Sequence, residues 1–157
     1  HPDEKPEDAG LQLLSCLFAT VQISVCLDQI TDDMKRMLLF WLGFMDEKRE
    51  ILLHSQIQPE EPENLYPEVC AECGNEKILV HYSKGRLADL RDINKKIYYI
   101  HAVKEEEVCF RCNSSDTLKY EVRDCYGNLM ESNEVSANQF VIISVPTSGM
   151  VEFTRKL

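Results

Sequence analysis

Apolar positions in the first fifty residues recur at helical spacing. Between Leu11 and Ile30, the residues Leu13, Leu14, Leu17, Phe18, Val21 and Val25 return at three- and four-residue steps, which predicts one helix buried on more than one side. Thr31 followed by Asp32 and Asp33 has the form of an N-cap, because a side-chain oxygen and two negative charges meet unpaired backbone N–H groups there. A second helix is predicted over about residues 32–55. Its middle, Met37 to Met45, is apolar nearly all round and needs a partner besides the first helix. Residues 56–67 carry Pro59, Pro62 and Pro67 among acids and are expected to form a linker. Residues 1–9, rich in proline and acids, are expected to be loose.

Past the linker the period changes to two. Alternating or β-branched runs at Lys77–Tyr82, Lys96–Val103, Leu118–Arg123, Phe140–Val145 and Met150–Thr154 predict strands, separated by turn residues such as Ser83–Gly85, Tyr126–Asn128 and Pro146–Gly149. The expected class is α+β: a helical arm with an acidic, proline-rich linker over 1–64, then an antiparallel β domain over 65–157.

Two thiol pairs, Cys70/Cys73 and Cys109/Cys112, sharpen this picture. Two residues between cysteines let a tight turn aim both sulfurs at one point, and two such turns complete a tetrahedral four-thiolate shell. One structural zinc is the expected occupant, clamping the β domain; four thiolates leave no open position for water or substrate. Seven cysteines is an odd number for a disulfide framework, and no signal-peptide segment opens the chain, so a reducing, intracellular setting is expected. Cys16 and Cys26 lie in apolar runs and are expected in the core; Cys125 lies beside a turn.

The longest apolar stretch, Leu11 to Ile30, is interrupted by Gln12, Ser15, Gln22, Ser24, Asp28 and Gln29, so no membrane partner is expected. The chain opens at His1 and Pro2, which leads us to expect a piece of a larger protein. Its net charge of −10 is uneven: residues 1–69 hold 14 acids and 5 bases, residues 70–157 hold 13 and 12. Between the thiol pairs, Lys77, Lys84, Arg86, Arg91, Lys95, Lys96 and Lys104 face only Asp89 and Asp92 over residues 77–104. A segregated basic segment of this kind suits an anionic partner or a solvated face.

The order of proline-rich linker, Cys70–Cys73, basic β segment, Cys109–Cys112, Leu118–Val122, Gln139–Ile143 and the basic tail Thr154–Lys156 resembles the C-terminal regulatory domain of RIG-I-like RNA helicases, in particular the Dicer-related branch. In that family helices before the linker form a pincer joining the domain to the helicase lobes, and residues 11–55 are similar to such an arm. The resemblance implies recognition of double-stranded RNA ends, including 5′-triphosphorylated ones, within an ATP-dependent helicase of RNA-silencing or antiviral pathways. It further implies partners in the helicase lobes of the parent chain and in RNA-silencing proteins, and a cytoplasmic or nuclear setting. By the same resemblance Arg155, Lys156, Lys95, Lys96, Lys84 and His81 are the expected RNA contacts, since Lys and Arg make charge-assisted bonds to phosphates. Ser136 stands where the family has a phosphate-binding lysine, which weakens the case for triphosphate specificity.

Each residue also has a plainer reading: His81 as a satisfied sheet histidine, Tyr82 and Tyr98 as core, Lys95 and Lys96 as guards of a strand edge. The chain lacks the phosphate-binding loop and Asp-Glu box of a motor, and no His-x-Glu partners the thiols as in a zinc deaminase, so no catalytic residue is assigned. The competing function is a zinc-stabilised protein-interaction module of the Yippee or cereblon kind, favoured by the acidic, apolar arm.

Overall fold

The computed structural model describes all residues except 1–3, 25, 61, 62, 64, 65, 92, 93 and 157. Val25 of the predicted helix, the boundary at 64 and 65, and Asp92 therefore lie outside the described residues. Pro6 opens α1 (Pro6–Leu14), with Glu7 and Asp8 in the first turn, so the expected looseness of residues 1–9 does not extend past Lys5. The helix stops far short of Ile30. Ser15 turns its hydroxyl back to the Gln12 carbonyl at 2.6 Å, and Thr20, Val21 and Ile23 beyond it are β-branched and alternate with polar residues, a poor helical stretch. Turns, extended chain and one 3-10 turn at Leu27–Gln29 follow.

Thr31 caps α2 (Asp32–Glu47) as its sequence predicts, its hydroxyl accepting from the Met34 N–H at 3.2 Å. The helix breaks at Lys48, and α3 (Arg49–His54) continues to Ser55. Among the described residues ten strands come next: β1 (Gln56–Glu60), β2 (Glu68–Cys73), β3 (Glu76–His81), β4 (Leu87–Leu90), β5 (Lys96–His101), β6 (Glu107–Cys112), β7 (Leu118–Arg123), β8 (Leu129–Val135), β9 (Gln139–Ser144) and β10 (Met150–Arg155). The expected linker thus supplies β1, which among the described residues pairs only with β2 and tolerates Pro59 because it lies at a sheet edge.

The strands form a seven-stranded sheet in the order β1-β2-β3-β5-β10-β7-β8 and a three-stranded sheet in the order β4-β6-β9. Pairing is mostly antiparallel, but β3 with β5 and β4 with β6 run parallel. The chain leaves β3, contributes β4 to the small sheet, and returns as β5. The class is α+β.

Alternation along the central strands gives each face of the large sheet its own core. Cys70, Leu79, Tyr99, Val151 and Val122 lie in one cross-strand row and face the small sheet. Ala71, Ile78 and Tyr98 occupy the next row on the opposite face and meet the helices, with Met37, Trp41, Phe44 and Leu52 packed against them. Helices, large sheet and small sheet are therefore three successive layers, and one buried cluster joins the helical arm to strands β2, β3, β5 and β10. Polar ties reinforce that contact. The Trp41 indole N–H donates to the Ser148 carbonyl at 3.1 Å and the Tyr82 hydroxyl donates to the Leu14 carbonyl at 3.0 Å. Lys48, almost fully buried, binds Glu76 at 2.7 Å and lies over the Tyr98 ring. Burial opposes its charge, but bonds from Glu76, Tyr98 and Glu47 outweigh that and hold the ammonium above its ordinary value.

Candidate functional site

The four paired cysteines lie within strands, which decides where their sulfurs point. Residues three apart in a strand face opposite sides. Cys70 faces the space between the sheets, whereas Cys73, at the end of β2, is exposed on the helical side of the large sheet. Cys112 is fully buried beside Phe110 in the inter-sheet core, and Cys109 lies on the outer face of the small sheet between Leu87 and Ile142. The four thiols occupy three different surfaces, and among the described residues no three metal-ligating side chains come together. Of the other thiols, Cys125 is buried, while Cys16 and Cys26, expected in the core, are exposed.

The expected RNA contacts divide between the two ends of the large sheet. Lys95, Lys96, Arg155 and Lys156 gather at the end where β3 and β5 begin and β10 finishes. Each is held by a carboxylate: Lys95 by Glu72 at 2.6 Å, Lys96 by Glu152 at 3.2 Å, Arg155 by Asp116 at 2.8 Å and Lys156 by Glu134 at 2.8 Å. The bond from Lys95 keeps the Glu72 carboxyl below its usual range. His81 and Lys84 lie at the far end of β3, about 17 Å away by strand rise. Lys84 is exposed in the turn. A cleft of about 320 Å³ brings Lys77, Arg86, Arg91 and Arg111 beside Glu68, Glu72 and Asp89. Asp89 is shared by Arg111 and Arg91, and the former holds its carboxyl low. The basic segment is thus matched by acids from elsewhere in the chain.

His81 is a satisfied interior group, 2 % exposed. It begins a row of polar contacts that sequence reading missed. The Glu68 carboxylate lies 2.5 Å from His81 Nε2, the Tyr99 hydroxyl lies 3.2 Å from His81 Nδ1 and 3.0 Å from His101 Nδ1, and His101 Nε2 reaches the Glu105 carbonyl at 2.8 Å. The carbonyl only accepts, so His101 Nε2 carries the proton and Nδ1 accepts from Tyr99. Tyr99 oxygen then accepts from His81 Nδ1, and His81 Nε2 meets the Glu68 carboxyl. Burial holds His101 below the ordinary histidine value and Tyr99 above the ordinary phenol value, so both stay neutral. Every polar atom in the row has a partner, which makes it a rigid core element.

What lies open is apolar. Leu39 is 73 % and Leu27 60 % exposed. With Ile23, Leu38 and Leu42 they line a trough of about 470 Å³ between α2 and the irregular segment before it. A second trough of about 450 Å³ shares Leu42 and continues past Met45 to Leu53. The only sequence signal was the run from Met37 to Met45, which has more apolar residues than one buried face can use: Trp41 and Phe44 meet the sheet, while Leu39 and Leu42 point away from it. Lys35 lines the first trough and pairs with the exposed Asp32, Asp46 and Arg49 line the second as a pair, and Asp28 is exposed beside Leu27. Among the described residues no helix is long and apolar enough to cross a membrane. Neither the known protein families, nor the curated proteins, nor the solved structures include a match to this chain.

Proposed function

We propose that this chain is a protein-docking module and that the trough along α2 receives a basic amphipathic helix. The observation that carries the reading is the contiguous apolar surface of Ile23, Leu27, Leu38, Leu39 and Leu42 on an otherwise charged chain. A helix-in-groove contact uses such a surface through anchors at three- and four-residue spacing. The α2 lining from Lys35 to Asp46 is about 17 Å long, or three turns of a docked helix. Charge selects the partner: residues 1–69 hold 14 acids against 5 bases, which draws in a partner with Lys or Arg beside its apolar stripe and repels an acidic one.

The gathering of Lys95, Lys96, Arg155 and Lys156 at one sheet end supports a second reading, binding of double-stranded RNA ends. In it, phosphates replace Glu72, Glu152, Asp116 and Glu134 as partners of those cations. A structural zinc and a helicase parent belong to that reading.

One titration separates the two. A fluorescent helical peptide with leucines on one face and lysines flanking them, and a fluorescent RNA duplex, are each added to the wild type, to Leu39→Glu and to the double variant Lys95→Glu, Lys96→Glu. The docking reading expects peptide binding that Leu39→Glu abolishes and the double variant retains. Peptide binding unaffected by Leu39→Glu, or none, overturns it; salt-sensitive RNA binding lost only in the double variant establishes the second reading.

A further inference from the structure

Four strands close the edges of the two sheets: β1 and β8 of the large one, β4 and β9 of the small one. A free edge offers unpaired N–H and C=O groups, and folded chains blunt it with charge, proline, a bulge or shortness. β1 carries Pro59 and Glu60; β8 carries Glu131 and Glu134, with a register shift in its ladder at Val122/Arg123; β4 is four residues long and contains Asp89. β9 has none of these devices. It reads Gln-Phe-Val-Ile-Ile-Ser, pairs with β6 in unbroken register, and among the described residues has no strand on its other side. Its Phe140 and Ile142 are 64 % and 65 % exposed on the outer face of the small sheet.

We propose that β9 is a dimerisation edge, pairing antiparallel with β9 of a second copy of this chain about a twofold axis through Val141. A twofold contact needs a patch that matches itself, and the pattern of β9 does. Centred on Val141, the pairing sets Phe140 opposite Ile142 of the second copy and Ile142 opposite its Phe140, at the spacing where aromatic and β-branched cross-strand pairs interact. The two outer rows of the small sheet, Leu87–Cys109–Ile142 and Asp89–Arg111–Phe140, then run into one another across the junction. The result is a continuous six-stranded sheet. The Arg111 row of each copy is joined to the apolar row of the other, so no like charges meet at the edge. The opposing term is long-range repulsion between two chains of net charge −10, which salt screens over a Debye length of about 8 Å at physiological strength.

Sedimentation of the full chain over a concentration series tests this. The wild type is expected to show a monomer–dimer equilibrium that shifts toward dimer as salt is added. Ile142→Lys and Phe140→Glu change exposed side chains, so each is expected to keep the wild-type circular dichroism spectrum and sediment as a monomer. Mixed together they are expected to form a heterodimer, because the introduced lysine of one faces the introduced glutamate of the other while the second Phe–Ile pair remains. A wild type that stays monomeric, an Ile142→Lys variant that dimerises like wild type, a mixture that stays monomeric, a dimer that salt dissociates, or assembly beyond dimers overturns the proposal.

Discussion

Replacing Trp41 by alanine tests whether the helical arm and the large sheet share one core. Trp41 is fully buried, edge-on to Phe40 at 5.0 Å and Phe44 at 5.6 Å between ring centres, and its N–H donates to the Ser148 carbonyl. Alanine is the best helix former, so the change leaves α2 itself intact and acts through packing. Truncating a buried aromatic costs about 3–5 kcal/mol, and a carbonyl left without its donor adds roughly 1 kcal/mol, for a loss of about 4–6 kcal/mol. Folded domains are stable by only about 5–15 kcal/mol, so the variant is expected to lose from about a quarter to all of the stability. Trp41→Phe keeps most of the volume and loses the hydrogen bond, and is expected to cost about half as much. Urea unfolding followed by far-ultraviolet circular dichroism measures both, since the chain has one Trp and the variants lack it. The intact chain offers a second readout: Trp41 emission reports arm docking directly and is expected to resist quenching by acrylamide. A Trp41→Ala loss below about 1 kcal/mol, the range of an ordinary surface substitution, refutes a shared core. In that event the arm is separable, and a fragment starting near residue 64 folds alone.

Two further outcomes concern Cys109 and His101. Cys109 faces outward on the small sheet, so Cys109→Ser is expected to cost under about 1 kcal/mol by thermal melting; one zinc per chain by metal analysis, with unfolding of that variant, shows instead that the thiols close around a metal. Burial keeps His101 below the ordinary histidine value, so the unfolded chain takes up a proton that the fold refuses. The stability contributed there is complete above about pH 6.5 and declines as pH falls from that value toward the folded one. The His101 imidazole resonance is expected to titrate below about 6.5, and a midpoint at or above that value contradicts the buried row.

Local signals in the sequence were read well where the physics is local. Thr31 with Asp32 and Asp33 marks the start of α2 because the cap needs only neighbouring atoms, β7 follows from alternation, and β9 and β10 follow from β-branched and aromatic runs bounded by turns. Errors arose where one signal hid another. Residues 20–25 alternate in a strand-like way inside what also counts as a helical apolar run, and residues 20–24 form no helix. Cys109–Cys112 also lies within a strand, of which Val108, Phe110 and Cys112 form the inward face. β1 and β8, polar or interrupted by proline, have no apolar pattern to find. The Glu68–His81–Tyr99–His101 row depends on β2, β3 and β5 being neighbours, and a pairing so distant along the chain has no local signature. The matched charges are hidden for the same reason: Lys95 and Glu72, or Arg155 and Asp116, meet only after folding.

The central claim is that partners enter along α2 rather than at the cationic sheet end, and amide chemical-shift mapping with the lysine-flanked helical peptide tests it most directly. The account predicts shifts concentrated in residues 19–29 and 35–53, centred on Leu39 and Leu42, with the sheet end unchanged. Shifts centred on Lys95, Lys96, Arg155 and Lys156, or no shifts at all, contradict it.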